Sequence, residues 1–275
     1  MTRLVFISDV HVGSNYAIFP EGFRNPEDGS LIDLNVYQKQ LLKFWESLAS
    51  KLAPADIIVL LGDLIEGQQT KEKFGTLKLQ NIQHQADAFV HLFSSSWKWR
   101  KLYVIRGTDY HVATLGMHAE EYIARRLGAE KIDADKYSAY DLKLEVDGVT
   151  IHAAHHVGYS RVPHYRFTPL AREMWLARLF DDYFGKIDIL ARGHVHYFLY
   201  AQIENILRAF TCPSWQLPTP YQRKHSVFGS NASIGLVEVE IMNDDIRVQA
   251  HLATGLKPRA IKVNFDNESH SGERA

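Results

Sequence analysis

Carboxylate and imidazole side chains recur in this sequence directly after short apolar runs. Asp9 and His11 follow residues 4–7, and Asp63 follows residues 57–61. The arrangement is repeated by Asp109 with His111, by His155, and by His194 with His196. Residues two apart in an extended segment point the same way, so such pairs can share one cation. Recurrence after five apolar runs predicts a metal site rather than isolated turn residues.

The elements that must position these side chains are strands and crossover helices. Apolar runs at 4–7, 57–61, 102–105 and 187–191 are typical of buried parallel strands, and ligands of such sheets gather beyond the carboxyl ends of the strands. Helical periodicity is found in residues 34–52, 82–97, 119–127 and 170–183. The sequence therefore indicates an α/β chain with its site along one edge.

The second half of the chain adds further predicted strands. Residues 140–146 and 149–154 flank Asp147-Gly148, which predicts a β-hairpin. Residues 200–210 and 236–241 are interpreted as strands of a second sheet. A last strand at 246–252 is expected to pair with the strand at 236–241.

The order of these residues resembles the calcineurin-like metallophosphoesterase superfamily, most of all its phage-type members. The superfamily pattern is Asp-x-His, Gly-Asp, Gly-Asn-His-Asp/Glu, a lone His and Gly-His-x-His, and the resemblance covers roughly residues 1–200. It implies an α/β fold that is a four-layer α/β/β/α sandwich of two mixed sheets. We assign residues 1–265 to a single metallophosphoesterase domain and expect a disordered tail at 266–275.

The resemblance also implies a site of two divalent metal ions, with Mn expected first and Fe, Zn or Ni as alternatives. One ion would be bound by Asp9, His11, Asp63 and His196, and the other by Asp63, Thr108, His155 and His194. Asp63 would then bridge the two ions. The implied reaction is hydrolysis of a phosphoester by a hydroxide that the two cations activate.

The third block departs from the superfamily pattern. Thr108 replaces the usual Asn and Asp109 replaces the usual His, while a His appears only at His111. A hydroxyl is a poorer metal ligand than an amide oxygen, which weakens the second site. We interpret His111 as the catalytic imidazole, and Asp109 is alternatively a carboxylate that orients it. His156 stands where a Gly commonly follows the lone His.

The expected substrate carries phosphate and is a phosphodiester or nucleic-acid-type molecule. Arg161 and Arg166 lie in the predicted loop at 158–167, and guanidinium groups match phosphate geometry; a solvated loop is an equal alternative. Arg223 and Lys224 are further candidates for the rim of the pocket. Two other functions stay open: a phosphomonoesterase or nucleotide phosphatase with the same site, and a non-catalytic binding scaffold like the retromer subunit, which Thr108 favours.

Composition limits the other possibilities. The 275 residues carry a formal net charge of -1, so any contact with nucleic acid must be local. The single cysteine, Cys212, fits a reducing compartment, and no apolar run approaches the roughly 18 residues of a membrane span. We expect a cytoplasmic protein, in the host cytoplasm if a phage encodes it, with no membrane partner; the oligomeric state is left open.

Overall fold

The computed structural model describes residues 1–68, 75–114, 117–160, 162–204, 206–225, 232–242, 245–254 and 256. The strands are β1 (Thr2–Ile7), β2 (Ala55–Leu60), β3 (Trp99–Ile105), β4 (Ala113–Thr114), β5 (Met117–His118), β6 (Ser138–Ala139), β7 (Asp141–Val146), β8 (Val149–Ala154), β9 (Ile189–Arg192), β10 (Leu199–Ile203), β11 (Leu207–Thr211), β12 (Gly235–Met242) and β13 (Asp245–Leu252). The helices are α1 (Val36–Leu52), α2 (Ile82–Ser96), α3 (Asp109–Val112), α4 (Ala119–Leu127), α5 (Thr168–Leu179), α6 (Asp181–Phe184) and α7 (Pro220–His225), with a 3-10 turn at Pro163–Tyr165.

The longer strands form two mixed sheets. The first has the order β13-β12-β1-β2-β3-β6 and the second the order β10-β11-β9-β8-β7. In the first sheet β1, β2, β3 and β6 are parallel, and β12 is antiparallel to β1. In the second sheet β8, β9 and β11 are parallel, with antiparallel partners at both edges.

The alternation of side chains along β1 separates two cores. Val5 and Ile7 pack with residues of α1, α2 and α4, whereas Leu4 and Phe6 face the second sheet. The Phe6 ring meets Phe210 of β11 edge-on, with ring centroids 5.2 Å apart. Leu190 of β9 packs on the far side against α5. The order of layers is therefore α/β/β/α, which confirms the predicted four-layer sandwich.

A capped helix fixes the chain that leaves the first sheet. The Asn35 side chain accepts the backbone N–H of Gln38, and the Gln38 side chain accepts that of Asn35, which defines the start of α1. Gln38 is fully buried and also donates to the carbonyl groups of Ser14 and Ala17. The loop after β1 is thereby held against the helix layer.

Three details of the predicted elements need correction, while the hairpin at 140–154 is confirmed as β7 and β8. The strand at 236–241 is not in the second sheet, because β12 pairs with β1 in the first. Residues 200–210 form a hairpin of β10 and β11 rather than one strand. The helix predicted at 170–183 is interrupted at Phe180, whose backbone leaves the helical region.

In the part of the chain that the structure describes, no helix has both the length and the apolar composition of a membrane span. Residues 266–275 and Arg161 lie outside the described residues. The single domain at 1–265 stays a prediction.

Candidate metal centre

Two loops that leave adjacent parallel strands run side by side beyond the strand ends. Asp9 donates its backbone N–H to the Gly62 carbonyl, and His11 donates to the Asp63 carbonyl, each at 3.0 Å. Val12 continues the ladder by donating to Leu64 at 3.1 Å. These hydrogen bonds fix the loops after β1 and β2 in one register, so their carboxylates and imidazoles emerge together.

Most of the candidate ligands have a left-handed backbone. The φ angle is 51° at Asp9, His11 and Asp63, 73° at His194 and 59° at His196. Among the described residues, Asp147 and Glu204 are the other non-glycine residues with positive φ, and both lie in hairpin turns. Each such residue costs of order 1 kcal/mol or more and persists where surrounding contacts enforce it, typically at functional sites.

Asp9, His11 and His196 form a first cluster. The Nε2 atoms of the two imidazoles are 3.2 Å apart, and the His196 Nε2 lies 3.3 Å from Asp9 Oδ1. His11 Nε2 lies 3.9 Å from the same oxygen. The other carboxylate oxygen, Asp9 Oδ2, accepts from the Ser8 hydroxyl at 2.5 Å and from the His194 backbone N–H at 3.0 Å. Asp9 Oδ1 is thus the oxygen presented to the two imidazoles.

Asp63, His155 and His194 form a second cluster next to the first. His155 Nδ1 donates to the Leu61 carbonyl at 2.5 Å, so its Nε2 faces Asp63 Oδ2 at 3.1 Å. His194 is oriented with Nδ1 3.5 Å from the Thr108 hydroxyl. One ligand atom from each of Asp9, Asp63 and His155 lies within 4.8 Å of the others. The two clusters therefore lie side by side in one region, in which Asp9, His11, Asp63 and His155 are buried and His194 and His196 are half-buried.

Glu66 is a buried residue of the site that the sequence analysis missed. Its Oε2 lies 2.9 Å from His11 Nδ1 and accepts from Gln216 Nε2 at 2.6 Å. A carboxylate on the far nitrogen of an imidazole fixes the ring and directs the other nitrogen toward a metal. The available signal was its place three residues after Asp63 at the end of an apolar run, which does not distinguish it from a surface acid.

The third block contradicts one interpretation of its sequence, the orientation of His111 by Asp109, while the catalytic role of His111 stays a prediction. Thr108 donates its backbone N–H to Asp63 Oδ1 at 2.7 Å and its hydroxyl to Asp63 Oδ2 at 3.2 Å, so it orients Asp63. His111 Nδ1 donates to the Glu66 carbonyl at 2.7 Å. Asp109 instead faces the Tyr140 hydroxyl at 3.3 Å, with a side chain that is 69% exposed. The group that orients His111 is the Glu66 carbonyl rather than Asp109.

The pKa shifts of the cluster residues indicate that this region favours positive charge. Burial acts to raise the pKa of Asp9 and of Asp63, but neighbouring imidazoles outweigh it and both pKa values are lowered. Burial acts to lower the pKa of His11 and His155, yet the carboxylates of Glu66 and Asp63 raise these pKa values to about 10. Burial and the nearby His155 lower the pKa of His194 to about 4.

The donor set fits divalent cations. Asp9 Oδ1 and His155 Nε2 are buried atoms without a well-directed hydrogen bond to any described residue, and each faces another cluster member, His196 Nε2 at 3.3 Å and Asp63 Oδ2 at 3.1 Å. Buried polar groups in native proteins are normally satisfied, so such atoms call for a bound partner. Carboxylate oxygens mixed with imidazole nitrogens suit Mn, Fe, Zn and Ni.

Close backbone contact beneath the clusters requires glycine. A Cβ on Gly107 would lie 2.2 Å from Asp63 N, and one on Gly62 (φ 83°) would lie 2.6 Å from the Gly107 Cα. Glu120 of α4 connects the same loops, accepting from the backbone N–H of Gly107 at 2.6 Å and of Leu64 at 3.3 Å. Burial raises the pKa of Glu120 to about 8, with a further contribution from Asp63. No pattern in the sequence separates Glu120 from its neighbour Glu121.

The predicted substrate-binding residues occupy different places. The Arg166 guanidinium stacks over the Tyr197 ring, 4.8 Å from its centroid, directly after His196. Arg223 and Lys224 are exposed on α7. Arg161 is outside the described residues, so its role stays a prediction.

Comparison with known proteins gave matches among solved structures. No family model matches the chain, and no curated protein matches it in sequence. The structure is similar to Vps29 from Entamoeba histolytica complexed with zinc, at 12% identity and TM-score 0.44, covering 92% of this chain and 98% of that one. It is similar to a conserved uncharacterised protein, described as a predicted phosphoesterase, from Streptococcus pneumoniae, at 12% identity and TM-score 0.41, covering 91% and 89%. A third similar structure is Vps29 from Chaetomium thermophilum, at 11% identity and TM-score 0.40, covering 94% and 98%.

Proposed function

We propose that this chain is a metal-dependent phosphoesterase with a centre of two divalent cations, of the calcineurin-like type. The observation that carries the proposal is the convergence of Asp9, Asp63 and His155 in one buried region, with ligand atoms within 4.8 Å of one another. Without a cation, a buried group of carboxylates and imidazoles is costly. Left-handed backbone at both carboxylates adds to that cost, which is typical of a functional site.

The protein residues would bind and orient the reacting groups. Asp9 presents Oδ1 because Ser8 and His194 hold its other oxygen, and Asp63 is held at both oxygens by Thr108. Glu66 contacts Nδ1 of His11 and thereby directs the other ring nitrogen, Nε2, toward the site. When bound, two cations lower the pKa of a water molecule and stabilise the charge that develops on a phosphoryl group.

His111 is the proposed proton donor to the leaving oxygen. Its Nδ1 is committed to the Glu66 carbonyl, so Nε2 is the atom that would hold and release the proton. Its ring lies edge-on to His11, with centroids 4.8 Å apart, which places it at the border of the first cluster. A phosphoryl group bound at the first cluster would therefore lie beside this imidazole.

A phosphodiester is the proposed substrate class. Two exposed aromatic side chains, Tyr159 and Tyr165, precede Arg166 in the same segment. Arginine can pair with a phosphate, and aromatic rings stack on bases or other planar groups. This combination favours a diester with a planar substituent, such as a nucleic-acid end, over a small phosphomonoester. Manganese is the proposed native ion.

Hydrolysis of chromogenic esters tests the proposal. Manganese-loaded protein should hydrolyse bis-nitrophenyl phosphate faster than nitrophenyl phosphate, and Asp63→Asn should reduce kcat by at least ~10³-fold because the carboxylate shared by the clusters is lost. Asp109→Asn is the matched control, since that carboxylate faces outward, and it should retain activity.

A non-catalytic scaffold is the second candidate, because Thr108 uses its hydroxyl on Asp63. Metal binding by the wild-type chain without turnover of any mono- or diester, with Mn, Fe, Zn or Ni, would favour the scaffold and reject the enzyme.

A further inference from the structure

His156 is an imidazole beside the second cluster to which the proposed mechanism gives no role. Strand β8 ends at Ala154, and the next two residues are His155 and His156. Side chains of consecutive residues in a strand point to opposite faces. Here the extended backbone has ended, and the two rings meet edge-on with centroids 5.1 Å apart.

His194 completes a group of three imidazoles. Its ring centroid lies 5.0 Å from that of His156 and 5.3 Å from that of His155. One nitrogen of each ring lies within 4.8 Å of the other two, a spacing that one cation could span. His155 is fully buried and His156 is exposed, so the group opens toward solvent on one side.

The second cluster has room in its ligand set for this third imidazole. Thr108 donates its hydroxyl to Asp63 Oδ2, which leaves that hydroxyl in an orienting role. His155 and His194 alone would give a cation two nitrogen ligands in addition to Asp63. Zinc in proteins takes four ligands, and catalytic zinc sites commonly keep three protein ligands and one open position.

We propose that His156 is a metal ligand of the second cation, which His155, His156 and His194 bind together with Asp63. This inference rests on the metal centre of the proposed function and specifies its second half. A set with three imidazoles suits zinc, nickel or copper better than manganese. The first cluster, with Asp9, Asp63 and two imidazoles, has a larger share of oxygen ligands than the second. The two positions would therefore differ in the ion they prefer.

Zinc counting tests the ligand role without relying on activity. Chelator-treated protein is dialysed against micromolar zinc, and the zinc bound per chain is measured by elemental analysis together with its affinity. Wild type should bind two ions per chain. His156→Ala should bind the second ion at least ~100-fold more weakly while the first is unchanged. His164→Ala removes an exposed histidine of the neighbouring segment and should bind two ions as wild type does.

NMR spectroscopy of the wild-type chain tests the proposal even if His156→Ala does not fold. The ring nitrogens of His156 should shift in NMR spectra during zinc titration together with those of His155 and His194. Two zinc ions bound by His156→Ala with unchanged affinity would overturn the proposal, even if kcat falls. Fewer than two zinc ions on wild type would overturn it too. Two ions, one lost on substitution, without any ester hydrolysis would support His156 and reject the proposed enzyme.

Discussion

Asp9, His11 and Asp63 share a backbone φ of 51°, a conformation that residues other than glycine rarely adopt. Hydrogen bonds between the two loops hold them there, since Asp9 and His11 donate to Gly62 and Asp63. Because the backbone is left-handed at these positions, the directions of the three side chains do not follow the alternation of a regular strand. The backbone conformation at these three residues, more than their residue types, brings the ligand atoms together.

Glu66→Gln tests the orientation of the first cluster. An amide oxygen accepts a weaker hydrogen bond from His11 Nδ1 than a carboxylate does, so manganese affinity should fall about 10- to 100-fold. Isothermal titration calorimetry measures the change. Glu46→Gln on the exposed face of α1 should leave the affinity unchanged. Equal manganese affinity in Glu66→Gln and wild type would contradict the orienting role.

The sequence predicted the candidate ligands but not the residues behind them. Asp9, His11 and His155 were found because an apolar run precedes each of them. Glu66 and Glu120 were not predicted, because a buried acid that accepts hydrogen bonds from backbone N–H groups or from an imidazole has no local sequence pattern of its own. The hydroxyl of Thr108 was considered as a weak ligand, whereas in the folded protein it donates to Asp63.

Helix α4 contributes to the site by joining the loops that follow β2 and β3. Glu120 accepts backbone hydrogen bonds from Leu64 and Gly107, one from each loop. The neighbouring Glu121 accepts from the backbone N–H groups of Tyr137 and Ser138 instead. Two adjacent acids of one helix therefore stabilise different parts of the first sheet.

The pH dependence of unfolding should separate these two acids. Burial, followed by Asp63, raises the pKa of Glu120 from 4.5 to about 8, so its folded form keeps a proton that the unfolded form loses. Its stabilising contribution is complete below pH 4.5 and is lost as the pH rises to about 8, with a slope of at most about 1.4 kcal/mol per pH unit. Urea denaturation of metal-free protein measures the free energy of unfolding. The difference in this free energy between wild type and Glu120→Gln, in favour of wild type, should be larger at pH 5.5 than at pH 8.

Glu121→Gln is the control with the opposite sign. Burial acts to raise the pKa of Glu121, but hydrogen bonds from Ser138 and Tyr137 outweigh it and lower the pKa. Its contribution is present above the unfolded pKa of 4.5 and is lost as the pH falls through the lower folded pKa. Identical effects of Glu120→Gln at both pH values would mean that Glu120 is ionised in the folded protein.

Pairing between strands was the part of the fold that local patterns determined least. The strand at 236–241 was recognised, but its assignment to the second sheet was wrong, because β12 pairs with β1 of the first sheet. Alternation indicates a strand with two different faces and carries no information on which strand it pairs with. The hairpin of β7 and β8 was predicted, because Asp147-Gly148 is a local turn signal.

The candidate ligands come from both sheets of the sandwich. Asp9 and Asp63 follow strands of the first sheet, while His155 and His194 follow β8 and β9 of the second. The candidate metal centre therefore lies where the two sheets meet at one edge. A cation bound there would connect the two halves of the fold and stabilise the folded chain over the unfolded one.

Metal removal should lower the thermal stability of the whole chain. At a manganese concentration 100 times the dissociation constant, binding adds about 2.7 kcal/mol, which corresponds to a rise in Tm of roughly 5 °C or more. Thermal unfolding followed by circular dichroism, with manganese and then with chelator, measures the difference. The Tm of Asp63→Asn should not respond to manganese. An unchanged wild-type Tm with every divalent cation tried would argue against a bound ion.

Anomalous diffraction from wild-type crystals soaked in manganese tests the metal centre most directly. We expect two peaks of anomalous density about 3.5–4 Å apart, with Asp63 between them. Asp9, His11 and His196 should contact one peak, and His155 and His194 the other. Side chains of Asp9, Asp63 and His194 that point into separate regions, with no anomalous density shared among them, would contradict the account.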